Sequence, residues 1–167
     1  PQFLLKVGKM LVAALIRIKG ERAHSWLLEK LCFAMYNARI RPARTPSDWL
    51  SRDVEEVDKY RAHPYCNFTF TLNGYRTLFE VISFIQDKGN ISRLPHSLPM
   101  LFVAGEEDPV GNYGKSVEAV AQSYQDAGVG DVTCRLYPGA RHELLNELEY
   151  ETTQEDIWDW IASRWFS

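Results

Sequence analysis

The 167-residue chain sets 19 Lys and Arg against 22 Asp and Glu, a formal charge of −3, and no basic stripe with interleaved aromatics runs through it; this excludes a nucleic-acid footprint. Apolar residues make up 46% and aromatics 13%, which is enough for a packed core and excludes a disordered chain. Cys32, Cys66 and Cys134 are odd in number and unrelated in spacing, so they form neither a disulfide framework nor a metal motif and favour a reducing, cytoplasmic setting. His24, His63, His96 and His142 do not cluster with Cys at ligand spacing either, so no metal and no cofactor is expected.

From Phe3 to Ile18, Leu4, Val7, Leu11, Ala14, Leu15 and Ile18 recur at helical spacing, and Gly20 is a stop. Lys6, Lys9 and Arg17 interrupt this run, which is shorter than a bilayer needs, so stable membrane insertion is not expected. The chain opens without Met inside the run, with no basic n-region and no small-residue cleavage site, and an expectation of truncation follows. A second helix is predicted from Arg22 to about Arg39, carrying Trp26, Leu27, Leu31 and Met35. Those side chains suit ordinary helix packing or the lining of an acyl groove.

Arg41 to Asp48, with Pro42 and Pro46, reads as an irregular connector, after which Trp49 and Leu50 re-enter a core. Asp53-Val-Glu-Glu56 has the form of a capping box, so Asp53 is expected to cap a short helix that ends before His63-Pro64. From Tyr75 to Lys88 the row Leu78, Val81, Ile82, Ile85 predicts another helix, stopped by Gly89.

Pro99 to Ala104 is a continuous apolar run, as in a buried parallel strand, and leaves through Gly105-Glu106-Glu107-Asp108-Pro109-Val110-Gly111. Lys115 to Ala127 is a predicted helix that turns Val117, Val120, Ala121 and Tyr124 to the sheet and closes at Gly128. Asp131 to Tyr137 is a second strand, leaving through Pro138-Gly139-Ala140-Arg141-His142. The result is a β-α-β unit whose crossover delivers Asp108 and His142 to one sheet edge. An Asp bonded to one ring nitrogen of a His fixes the tautomer and leaves the other nitrogen free as a general base. Taken alone, Asp108 is also a plain Asp-Pro turn residue and His142 a plain loop residue, and Glu106 and Glu107 are rival acids. Thr153 to Phe166 is a closing helix with Ile157, Trp160, Ile161 and Trp165 as its buried row, and the acidic run Glu143 to Asp156 reads as solvent-facing charge.

Acid before His is the chain order of α/β-hydrolases. The segment resembles the C-terminal half of such an enzyme, most closely the lysophospholipase and monoacylglycerol-lipase-like group, also classed as serine aminopeptidases. The resemblance extends upstream through Asp48-Trp49-Leu50-Ser51-Arg52-Asp53, Val57-Asp58-Lys59-Tyr60 and Pro64-Tyr65-Cys66-Asn67-Phe68-Thr69-Phe70-Thr71, and downstream through His142-Glu143-Leu144-Leu145-Asn146-Glu147. It departs at His63, where an Asp precedes the Pro in similar hydrolases.

The resemblance implies a partial α/β-hydrolase fold, with a helical cap over residues 1–73 and the last strands and helices of the core over 74–167. It implies hydrolysis of a carboxylic ester, such as a monoacylglycerol or a lysophospholipid-like lipid, with Asp108 and His142 as two members of a Ser-His-Asp triad. No Ser, Cys or Asp ahead of Asp108 has Gly two residues before and two after it, and Ser116 lacks the second Gly. The nucleophile is therefore expected on an N-terminal half of the same enzyme. The substrate-binding residues are not legible. An upstream Asp nucleophile of dehalogenase or epoxide-hydrolase type, a non-catalytic binding module, and one half of a two-chain enzyme all stay open. An unpaired half should be poorly soluble or dimerise.

Overall fold

The structure, a computed structural model, describes residues 2–66 and 68–165; Pro1, Asn67 and Phe166, which enter the sequence reading, lie outside them. In order, the elements are α1 (Gln2–Lys19), α2 (Trp26–Phe33), α3 (Val54–Ala62), α4 (Leu72–Ile85), α5 (Lys88–Ile91), β1 (Met100–Gly105), α6 (Lys115–Asp126), β2 (Val132–Tyr137), a 3-10 turn (Leu144–Asn146) and α7 (Tyr150–Trp165). They form two compact units, Pro1–Ala34 with Phe68–Pro95 and Met35–Asn67 with His96–Ser167.

The first unit is helical. Val12, Leu28, Leu72 and Tyr75 are buried at its centre, with Leu11, Leu15, Phe70 and Phe79 packed around them. The inward face of α1 runs through Gly8, Val12, Leu15 and Ile16, so that Leu11 and Leu15 of the expected row pack inward while its other members turn away. Leu4, Val7 and Ile18 of that row are 63%, 46% and 79% exposed. Gly8 explains the rotation, because a Cβ there would stand 3.1 Å from the Phe79 ring, so glycine lets α1 close on α4. α2 is shorter than expected. Its N-cap Ser25 accepts from the Leu28 amide, it ends at Phe33, and three-residue turns carry the chain on to Ile40. Leu28 is its buried residue, whereas Trp26, Leu27, Leu31 and the following Met35 are exposed.

Thr71 caps α4 by accepting from the Gly74 amide. Leu72 and Tyr75 face the core, while in the expected row Leu78, Val81 and Ile85 are exposed and Ile82 is half-buried: this helix is apolar on more than one side, and periodicity alone did not say which side packs. α4 ends at Ile85, with Gln86 as its C-cap, rather than running to Lys88 before Gly89, because Asp87 accepts from the Gly89 and Asn90 amides and starts α5.

The second unit holds the sheet. β1 and β2 are parallel, in register from Met100 opposite Val132 to Gly105 opposite Tyr137, and α6 connects them. Phe102 of β1 packs on Tyr124 of α6 with ring centroids 5.4 Å apart. Gly128, at φ 94°, makes the left-handed turn that ends the crossover. Asp53 caps α3 as expected, accepting from Glu55 and Glu56. His63 makes its turn, the ring Nδ1 accepting from the Tyr65 amide. α7 is tied to β2 by the Trp160 indole, which donates to Thr133 Oγ1 at 2.9 Å, and to the residue just before β2 by the Arg164 fork on Asp131. Trp165, expected in the buried row of α7, is 56% exposed. No helix among the described residues is long and apolar enough to cross a membrane.

Candidate active site

Because β1 and β2 run parallel and in register, both leave the sheet at one edge, and their exit loops are stitched together there. The Glu106 amide donates to Tyr137 O at 3.0 Å and the Glu107 amide to Ala140 O at 2.9 Å. Gly105 makes this approach possible: a Cβ on it would lie 2.1 Å from Ala140 O and 2.3 Å from Arg141 O.

Past this junction the Asp108 side chain turns inward and is 8% exposed. Its Oδ1 accepts from the Val110 amide at 2.8 Å, and its Oδ2 lies 3.1 Å from His142 Nδ1. The His142 side chain is 37% exposed, and its Nε2 has no hydrogen-bond partner among the described residues. Glu106 and Glu107 are exposed in the same loop. An imidazole with Nδ1–H donating to Asp108 carries its lone pair on Nε2, the form suited to accepting a proton.

Three consecutive residues after Asp108 adopt left-handed backbone, Asn112 at φ 52°, Tyr113 at 57° and Gly114 at 83°. The Tyr113 amide donates back to Asp108 O at 2.8 Å, and the Arg39 guanidinium stacks over the Tyr113 ring at 3.4 Å. A bulky residue in this conformation is uncommon, and such strain concentrates at functional sites. Beside the Asp108–His142 pair lies an open hollow of about 350 Å³, lined by Val103, Ala104, Val110, Val117 and Val120 among others.

The other side of the His142 ring meets Trp49, with centroids 5.1 Å apart at 48°, and Trp49 in turn meets Tyr36 edge-on at 4.8 Å. The His142 amide reaches Trp49 O at 3.4 Å and the Glu143 amide donates to Leu50 O at 2.8 Å. Arg141 Nη1 donates to Asp48 O at 2.7 Å and to Ser51 O at 2.9 Å, and the Ser51 hydroxyl donates to Asn146 O at 2.7 Å. Burial pushes the Asp48 carboxyl up, but hydrogen bonds from Thr45 and the Arg44 amide outweigh it and hold Asp48 below the usual carboxylate range.

Residues 4–149 match the serine aminopeptidase S33 family of hydrolases. The chain belongs to that family. It is 30% identical over 121 residues to a monoacylglycerol lipase of Mycolicibacterium smegmatis, a match covering 70% of this chain and 39% of the lipase. Its fold is similar to that of a thermostable carboxyl esterase from Bacillus coagulans solved in complex with glycerol, with a TM-score of 0.82 and 25% identity over 95% of this chain and 51% of the esterase. A monoacylglycerol lipase of Paleococcus ferrophilus shares the fold alone, with a TM-score of 0.57 at 19% identity over 93% of this chain and 65% of that one. The chain thus spans about two fifths of the curated lipase and half of the esterase. Its helices and short parallel sheet are part of an α/β-hydrolase fold.

In this S33 chain the sequence reading brought Asp108 and His142 together and left out what surrounds them. Glu147, read as part of a solvated acidic run, is 2% exposed and accepts four hydrogen bonds. Charge composition pointed outward; the signal that could have found it was its place in the motif downstream of His142. Nothing in the sequence showed that Trp49 would meet His142, or that Arg141 would bond Asp48 O and Ser51 O, across about ninety residues. Among the described residues no group of three or more His, Cys, Asp and Glu is placed to hold a metal ion.

Proposed function

We propose that this chain is part of a carboxylic ester hydrolase acting on monoacylglycerol or similar single-chain lipids, with His142 as general base and acid and Asp108 as its orienting carboxylate. The observation that carries the reading is the 3.1 Å approach of His142 Nδ1 to the buried Asp108, whose second oxygen is held by the Val110 amide. A serine on a segment outside these 167 residues supplies the nucleophile. His142 Nε2 takes the Ser hydroxyl proton as Oγ bonds to the ester carbonyl carbon, and Asp108 stabilises the imidazolium. That proton passes to the departing alkoxide as the ester C–O bond breaks, leaving an acyl-enzyme and an alcohol. Water, deprotonated by His142, then hydrolyses the acyl-enzyme to the carboxylic acid and restores the serine.

The substrate class is supported by the M. smegmatis lipase relative, by the glycerol-bound esterase, and by the apolar lining of the hollow beside the pair. Residues 1–73 are assigned as the lid of this enzyme and 74–167 as the end of its core, although α4 and α5 pack with α1 and α2 in one compact unit. Exposed Leu78, Val81 and Phe84 on α4, and the edge of β1 away from β2, suit burial against the nucleophile-bearing half.

Fluorophosphonate labelling of the protein from its native source, with the adduct located by mass spectrometry, tests the reading. A labelled Ser on a G-x-S-x-G peptide, lost in His142→Ala, is the expected result. A folded, full-length protein that takes no label refutes the serine mechanism and favours an Asp nucleophile or a non-enzymatic role.

A further inference from the structure

We infer that Glu147 is a positioning residue for His142, a buried carboxylate clamp that fixes the imidazole through the backbone on either side of it; the inference rests on the Asp108–His142 reading above. Glu147 Oε1 accepts from the amide of Arg141, the residue immediately before His142, at 2.8 Å, and from the Arg52 amide at 3.1 Å. Oε2 accepts from Arg52 Nε at 2.9 Å and from the Leu148 amide at 3.2 Å. A single side chain therefore holds backbone from two segments about ninety residues apart in sequence.

Those two segments flank the imidazole. Residues 48–52 supply Trp49, which packs on the His142 ring and receives its amide, and residues 141–147 carry His142 itself. The bonds of Arg141 to Asp48 O and Ser51 O, and of Ser51 to Asn146 O, run in parallel with the clamp. Asp108 controls the ring only at Nδ1, and one hydrogen bond leaves the ring free to pivot about it. Glu147 sets where the Cα of His142 stands and where the Trp49 face stands, which together remove that freedom. A buried carboxylate is tolerated only when its lone pairs are satisfied, so loss of this acceptor leaves the half-buried Arg141 and Arg52 amides without it.

The test is NMR of the full chain carrying ¹⁵N-labelled His, which reads the tautomer of His142 from its ring nitrogen shifts and its Nδ1–H proton. The expected result is a single Nδ1–H tautomer in the unaltered protein, lost in Asp108→Asn, and replaced by exchanging tautomers in Glu147→Gln. Glu149→Gln, which removes only the exposed partner of Arg52, should keep the single tautomer. If Glu147→Gln loses stability yet keeps the same locked tautomer, Glu147 is structural only and the inference is overturned. If the unaltered protein already shows the exchange seen in Asp108→Asn, the Asp108–His142 reading itself fails. Should Glu147→Gln not fold, Glu147→Asp keeps the charge and withdraws the carboxylate by one methylene. Tautomer exchange in that variant supports the clamp, and an unchanged locked ring overturns it.

Discussion

Replacing Gly105 by Ala strikes the place where the two strand exits cross. The added Cβ would lie 2.1 Å from Ala140 O and 2.4 Å from Ala140 C, both backbone atoms that no side-chain rotation can move aside. The turn must retreat by roughly 1 Å to reach ordinary contact. Forced overpacking of this kind costs about 1–3 kcal/mol. The retreat also stretches the bonds from the Glu106 amide to Tyr137 O and from the Glu107 amide to Ala140 O, each worth about 1 kcal/mol. Together these give a destabilisation of about 3 kcal/mol, which at this chain length lowers Tm by roughly 6–12 °C. Urea and thermal denaturation measure it, with Gly130→Ala as the control, since the nearest atom to a Cβ there is His96 O at 3.8 Å. Labelling of the full-length enzyme should fall with Gly105→Ala even where the protein is folded, because the displaced turn carries His142. A Gly105→Ala protein with an unchanged midpoint and full labelling would refute the crossing geometry.

Tyr75 is fully buried, and its hydroxyl has no hydrogen-bond partner among the described residues; burial, with Cys32 and Glu29 nearby, pushes its pKa up to about 12. Tyr75→Phe should therefore raise stability by about 1 kcal/mol in urea denaturation by removing an unpaired buried hydroxyl, and a loss of stability would reveal a partner for it. Asp48 titrates below its unfolded value, so it stabilises the fold above the unfolded carboxylate pKa, and that contribution fades as pH falls through the folded value. Between neutral and acid pH, Asp48→Asn should flatten the stability profile on the acid side while costing about 1–3 kcal/mol at pH 7; parallel profiles for the two proteins would show that Asp48 is not a source of the acid sensitivity.

What was legible in the sequence was local. The apolar run into β1, the Asp53 cap, the Gly128 turn and the placement of Asp108 and His142 after successive strands each follow from a few adjacent residues. The errors share another origin. α1 and α4 carry apolar residues on several faces, and which face packs depends on Gly8 meeting Phe79, a contact between segments about seventy residues apart. Trp165 sits at helical spacing with Ile157 and Ile161 yet is exposed, because the Trp160 indole and the Arg164 fork fix how α7 lies on β2. Periodicity gives the width of an apolar stripe but not its partner.

The two buried carboxylates of the second unit show how such a reading extends to chemistry. Asp108 and Glu147 have the same problem, a charge away from water, and the same solution, hydrogen bonds to both oxygens. They differ in who donates. Every donor to Glu147 is a backbone amide or a guanidinium, groups that do not give up a proton near neutral pH, so the bonds there can only hold position. One donor to Asp108 is an imidazole whose ring stands partly exposed beside an apolar hollow, and its second nitrogen is the one that takes the serine proton in the proposed mechanism. In the proposed mechanism, proton transfer thus falls to the partner rather than to the acid. Glu147 lay in the same downstream motif as His142, but what it does became visible only through its donors, Arg52 and Arg141, which the fold brings from distant parts of the chain.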